Sequence, residues 1–87
     1  MPTVLLLFTT MPALKLSELA PSQRASVVVI HAEEALHQRL LALGFRSGKV
    51  LEVVRKAPFS GPIQVRLGTT DIVLRRSEAA KITVCRA

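Results

Sequence analysis

LHQRLLALGFRSGKVLEVVRKAP, residues 36–58, holds the change of period on which the fold turns. Counted at ~100° per residue, Ala32, Leu36, Leu40 and Leu43 share one stripe of a helix expected over 31–43. That stripe needs a sheet to cover. Gly44 stands where the helix must stop, because a residue without a Cβ enters the left-handed conformation cheaply. Phe45 then packs back on Leu40, the apolar contact of a Schellman ending. Beyond Gly48 the period drops from 3.6 to about 2 through Leu51 and Val53, so helix gives way to strand. The loop Ala57-Pro58-Phe59-Ser60-Gly61-Pro62 closes that strand, since neither proline can donate to a ladder and Gly61 permits a sharp reversal.

Working outward from this stretch, Leu14 to Leu19 reads as a strand residue or two followed by a helical turn capped by Ser17 and stopped before Pro21. RASVVVI, residues 24–30, is β-branched and nearly all apolar, which predicts a strand with much of both faces covered. Ile63, Val65 and Leu67 alternate with polar residues, as expected of a half-buried strand. Gly68 to Asp71 has the composition of a hairpin turn, and Ile72 and Leu74 lie on the returning strand. Ser77 is expected to cap a short turn, and Ile82 to Val84 form a last strand. About five short strands with one inserted helix predict a mainly β, partly open small barrel, because closure protects the edges of strands this short.

Eighty-seven residues, of which 49% are hydrophobic, make one small folded domain. Its boundaries are expected at residues 14–87, with residues 1–13 as an N-terminal extension. The three aromatic residues are all Phe, so aliphatic side chains must fill the core. The formal charge of +6 permits attraction to phosphates, anionic lipid or an acidic protein face, and selects none of them. A single cysteine, Cys85, excludes an internal disulfide and a cysteine-based zinc cage, which fits a reducing cytoplasm. Val4 to Phe8 makes a poor signal peptide, with no basic residue before it, and is far too short to span a bilayer. It is expected to hang free, add an edge strand, or pack on a second copy, which would give a homodimer.

LSELAPSQRA, LHQRLLALGFRSG, LEVVRKAPFSGPIQVRL and LRRSEAAKI, in this order, resemble the FeoA family from about Leu14 to Val84. The resemblance implies an SH3-like β-barrel, no catalytic activity, and a cytoplasmic role beside the FeoB ferrous iron transporter at the inner membrane. A similar module is joined to metal-dependent repressors, which leaves a metal-responsive regulatory module as an alternative. Ser22 and Ser47 stand where many relatives of this kind carry Gly or Pro, which should loosen two turns slightly without changing their path.

Leu41 lies ~140° from the core stripe and is expected to face outward. With Phe59 it is expected to form one apolar partner patch; the competing readings bury Leu41 under the N-terminal arm or the loop and make Phe59 a lid over the barrel end. Arg46, Arg55 and Lys56, with Arg66, Arg75 and Arg76, are candidates to meet an acidic partner face, where they would steer association. His31, Glu33, Glu34 and His37 form the one cluster with metal-ligand chemistry. Helical spacing gives that cluster two ligands where a closed zinc site takes four, so any zinc or iron held there is weak or shared between chains, and no cofactor is required. Nucleic acid is disfavoured, because single-strand platforms use stacked aromatics that this chain lacks. An enzyme is disfavoured too: GFRSGK lacks the spacing of a phosphate-binding loop, and no base stands by the serines or Cys85.

Overall fold

The computed structural model describes residues 13–86, so the expected N-terminal arm lies outside the described part. Strand β1 (Leu14–Lys15) leads into a 3-10 turn (Leu16–Glu18) and strand β2 (Arg24–Ile30). Helix α1 (Glu34–Leu43) connects to β3 (Val50–Lys56), β4 (Ile63–Leu67) and β5 (Thr70–Leu74). A single-turn helix α2 (Arg76–Ala79) and β6 (Ile82–Arg86) complete the chain. The strands form one antiparallel sheet in the order β1-β6-β2-β3-β4-β5. The sheet curls on itself: the 3-10 turn that follows edge strand β1 touches α2, which follows edge strand β5. Thus the expected small barrel is present, with six strands once the two-residue β1 is counted.

Period-2 alternation builds the core. Leu51 and Val53, Ile63, Val65 and Leu67, Ile72 and Leu74, and Ile82 and Val84 all point inward and are buried. Leu40 of α1 and Phe45 just beyond its end join them in the core, and each such side chain contributes about 1.5–3 kcal/mol by leaving water. The helix ends as its residues require. Gly44 has φ +107°, its N–H donates to the Leu41 carbonyl, and the Phe45 N–H donates to the Leu40 carbonyl at 3.0 Å. This is the paired hydrogen-bond pattern of the Schellman motif, with Phe45 and Leu40 in apolar contact. Gly68, φ +65°, opens the two-residue β4–β5 loop, so Thr70 and Asp71 belong to the strand and not to the turn.

Several local expectations are corrected. Residues 31–33 precede the helix, because the His31 N–H is taken by the Lys81 carbonyl at 2.7 Å, next to the β2–β6 ladder. Leu43 is exposed: the chain reverses at Gly44, and Phe45 enters the core instead. Neither Ser17 nor Ser77 is a cap. Glu18 and Glu78, each three residues on, accept the N–H of Lys15 and Arg75 at 2.7 and 2.9 Å, and a carboxylate makes the stronger acceptor at a helix start. In the β3–β4 loop the left-handed residues are Phe59 and Ser60, at φ +57° and +58°, while Gly61 is needed for space. A Cβ on Gly61 would lie 2.8 Å from the Ala57 Cβ. Finally, β2 is covered on one face only, which brings the candidate site into view.

Candidate functional site

Strand β2 pairs with β6 through Val27↔Val84 and then Val29↔Thr83, so Val28 is an extra residue in a β-bulge. A bulge twists the strand and re-aims its side chains. Val28 and Val29, adjacent in sequence, are consequently 43% and 41% exposed. Helix α1 lies beside them and contributes Leu41 and His37, both half-buried, to a shallow groove of about 310 Å³ floored by Val27 and Phe45. Among the described residues Leu41 therefore borders a groove lined mostly by aliphatic groups, and the arm that would cover it in the competing reading lies outside the described residues. Arg46 is exposed and directly follows Phe45 at the rim.

Phe59 does not share this groove. β2 runs antiparallel to β3 with Arg24 opposite Glu52 and Ser26 opposite Val50, so the end of β3 lies beyond the start of β2. Along the β2–β3 ladder the loop that follows β3 therefore lies beyond Arg24 and not beside Ile30, and Phe59 is not among the residues that line the groove. Phe59 is 100% exposed, so it is no lid, and it does not join Leu41 in lining the groove.

The candidate cations divide by engagement. Lys56 Nζ donates to the carbonyls of Ser17 and Leu19 at 2.8 and 3.0 Å, closing the end of the 3-10 turn. Arg76 donates from Nε to Gly61 O and from Nη2 to Ala57 O, both at 3.2 Å, clamping the β3–β4 loop. Arg66 grips Asp71 across the β4–β5 hairpin, Nε to Oδ1 at 2.8 Å and Nη2 to Oδ2 at 3.2 Å. That hydrogen bond and the opposite charge raise the Arg66 pKa and hold Asp71 below the usual carboxylate range. Arg24, Glu52, Arg66 and Asp71 lie in register across β2 to β5, alternating in sign, an arrangement that favours this register over a slipped one. Arg46, Arg55 and Arg75 are exposed, and their guanidinium groups form no ion pair among the described residues.

Of the metal candidates, Glu34 accepts from Gln38 Nε2 at 3.1 Å, Glu33 borders the cleft between α1 and α2, and His37 borders the groove. Among the described residues no three His, Cys, Asp or Glu side chains converge on a point that could hold an ion. Single-chain coordination by His31, Glu33, Glu34 and His37 together is therefore not built into the fold.

Two features escaped the sequence reading. Val28 and Val29 sit in a run of three valines, and nothing in such a run announces a bulge. Glu78 is 8% exposed and bonds Arg39 Nη1 at 2.6 Å, tying α1 to α2. Its position three residues after Arg75 is the only hint the sequence carries.

The curled antiparallel sheet with one inserted helix defines the class: a small SH3-like barrel, the description carried by a Stenotrophomonas maltophilia FeoA structure solved with zinc. That protein is 37% identical, covers 82% of this chain and 88% of its own, and superposes with a TM-score of 0.72. The FeoA domain family matches residues 14–86, and the chain belongs to that family. A putative Fe(2+) transport protein A of Campylobacter jejuni is 36% identical over 69 residues, 79% of this chain and 93% of the relative. An Fe(2+) transport protein A/FeoB fusion protein of Porphyromonas gingivalis is 37% identical over 71 residues, 82% of this chain and 8% of the fusion. The family is thereby associated with ferrous iron transport. Among the described residues no helix is long and apolar enough to cross a membrane.

Proposed function

We propose that this chain is a non-catalytic accessory protein of ferrous iron uptake that docks on a FeoB-type transporter at the cytoplasmic face of the inner membrane and modulates it. The observation that carries this reading is the Porphyromonas gingivalis fusion, in which a domain 37% identical to this one shares a chain with FeoB. Covalent linkage raises effective concentration to about the millimolar range, an advantage when the two parts must meet. The groove around Leu41, Val28 and Val29 supplies an apolar contact, and Arg46 at its rim supplies charge for steering.

Capture of the chain by the cytoplasmic domain of its own organism's FeoB, with nucleotide varied, tests the reading. Leu41→Asp is expected to weaken capture at least tenfold with an unchanged circular dichroism spectrum. Because Leu41 is half-buried, Val28→Asp on the exposed bulge is the second variant. Capture untouched by either would remove the groove, and no capture in any nucleotide state would remove the docking.

Metal enters this reading only as a weak modulator. Zinc at His37, with Glu33, Glu34 or His31, would need ligands from water or a second copy. A zinc titration is expected to give micromolar or poorer affinity, lost in His37→Ala; an unchanged titration would exclude this site.

A further inference from the structure

The β3–β4 loop combines features that the docking groove, which none of its residues lines, does not explain. Phe59, the one fully exposed aromatic among the described residues, stands at the tip of the loop with a left-handed backbone that non-glycine residues adopt only at a cost. Ser60 beside it is left-handed too, and the Arg76 guanidinium holds the loop by the carbonyls of Ala57 and Gly61. The conformation is held from within by the Ala57 N–H donating to the Pro62 carbonyl at 2.9 Å and the Gly61 N–H to the Pro58 carbonyl at 3.1 Å, and from outside by Arg76, and it presents an apolar ring to water.

The loop segment itself carries charge of one sign, while Glu18, between the two residues whose carbonyls Lys56 grips, and Glu78, which lines a cleft with Arg75 and pairs with Arg39, lie near its base. No acidic residue occurs between positions 53 and 70. The pairing rows Lys56↔Ile63 and Ile63↔Leu74 place Arg55 and Arg75 on either side of the loop base, about 10 Å apart at the usual strand spacing. Both are exposed, and neither guanidinium forms an ion pair among the described residues. An apolar tip with two exposed arginines at its base, neither in an ion pair among the described residues, is complementary to an anionic bilayer, whose headgroup phosphates pair with guanidinium groups while the ring enters the acyl boundary.

We propose that the β3–β4 loop is a membrane-contact tip, with Phe59 inserting into anionic lipid and Arg55 and Arg75 pairing with headgroup phosphates. One ring and two arginines give weak, reversible attachment, so the tip orients the protein on the membrane and does not anchor it. Contact is independent of the groove, which stays free for a protein partner.

The chain contains no Trp or Tyr, so Phe59→Trp in the full chain creates a sole fluorophore at the tip. Vesicles of phosphatidylcholine containing about a third phosphatidylglycerol are expected to blue-shift its emission, and brominated acyl chains to quench it, whereas pure phosphatidylcholine leaves it unchanged. In vesicle flotation of the otherwise native chain, Arg55→Ala and Arg75→Ala should each lower partitioning about fivefold, and Phe59→Asp more than tenfold. Phe59 packs on nothing, so these losses should come with a native circular dichroism spectrum. An emission spectrum indifferent to anionic vesicles at low salt overturns the proposal, as does flotation unchanged by Phe59→Asp. A blue shift produced by the soluble transporter domain and not by vesicles would likewise overturn it and assign the tip to a protein pocket.

Discussion

Glu78 is the residue on which two elements depend. Burial pushes its pKa up, but the hydrogen bond from the Arg75 N–H and the bond and charge of Arg39 outweigh burial and leave it below the ordinary glutamate value. A depressed folded pKa contributes stability that is whole above the unfolded value of about 4.3 and is lost as pH falls through the folded one. Glu78→Gln should therefore cost about 1–3 kcal/mol at neutral pH, and the gap from the native chain should narrow as the solution becomes acidic. Urea titrations at neutral and acid pH read this directly; a gap that stays constant would show that charge plays no part. Ser22 carries the opposite opportunity. Its φ of +76° is left-handed, and its N–H donates to the Val53 carbonyl at 2.7 Å, so the turn is held against its own preference. Ser22→Gly is expected to stabilise by about 0.5–1 kcal/mol, visible as a rise of a few degrees in Tm. Ser22 was expected only to loosen its turn; its φ now identifies the source of the strain.

At the level of elements, the ending of α1 couples helix to strand. At Gly44 a Cβ would meet Leu67 Cδ2 of β4 at 3.0 Å while also suffering a φ of +107°. Gly44→Ala is expected to destabilise by about 1–2 kcal/mol or more, measured by chemical denaturation, whereas Gly48→Ala meets nothing nearby and carries only the conformational term. This ending was legible in the sequence because Schellman chemistry is local: a glycine, an apolar residue after it, and a leucine one turn back. The starts of the turns were less legible. A serine and a glutamate near a helix start both offer oxygen, and the competition between them is settled by where the backbone bends, which adjacent strands dictate. The bulge at Val28 was not legible at all, since it arises from the register of β2 against β6 and not from the valines themselves.

For the whole molecule, net charge is a poor guide and the distribution of engaged charge a better one. Of six candidate cations, Lys56, Arg66 and Arg76 make bonds within the fold, while Arg46, Arg55 and Arg75 remain available. Substituting Arg46, beside the groove, should slow partner association and reduce its salt dependence. Arg76→Ala should instead release the β3–β4 loop, and its expected readout is amide exchange in residues 57–61. An exchange pattern unchanged there would mean the loop holds itself. The sequence alone determined the strand alternation, the helix ending and membership of a small barrel family, because hydrophobic period and turn chemistry act over a few residues. Only the tertiary structure decided that Leu41 lines a groove while Phe59 stands fully exposed outside it, that the four metal candidates do not converge, and which cations are free of ion pairs among the described residues. Each of these depends on how residues distant in the chain meet across strand register, and local pattern carries no record of that pairing.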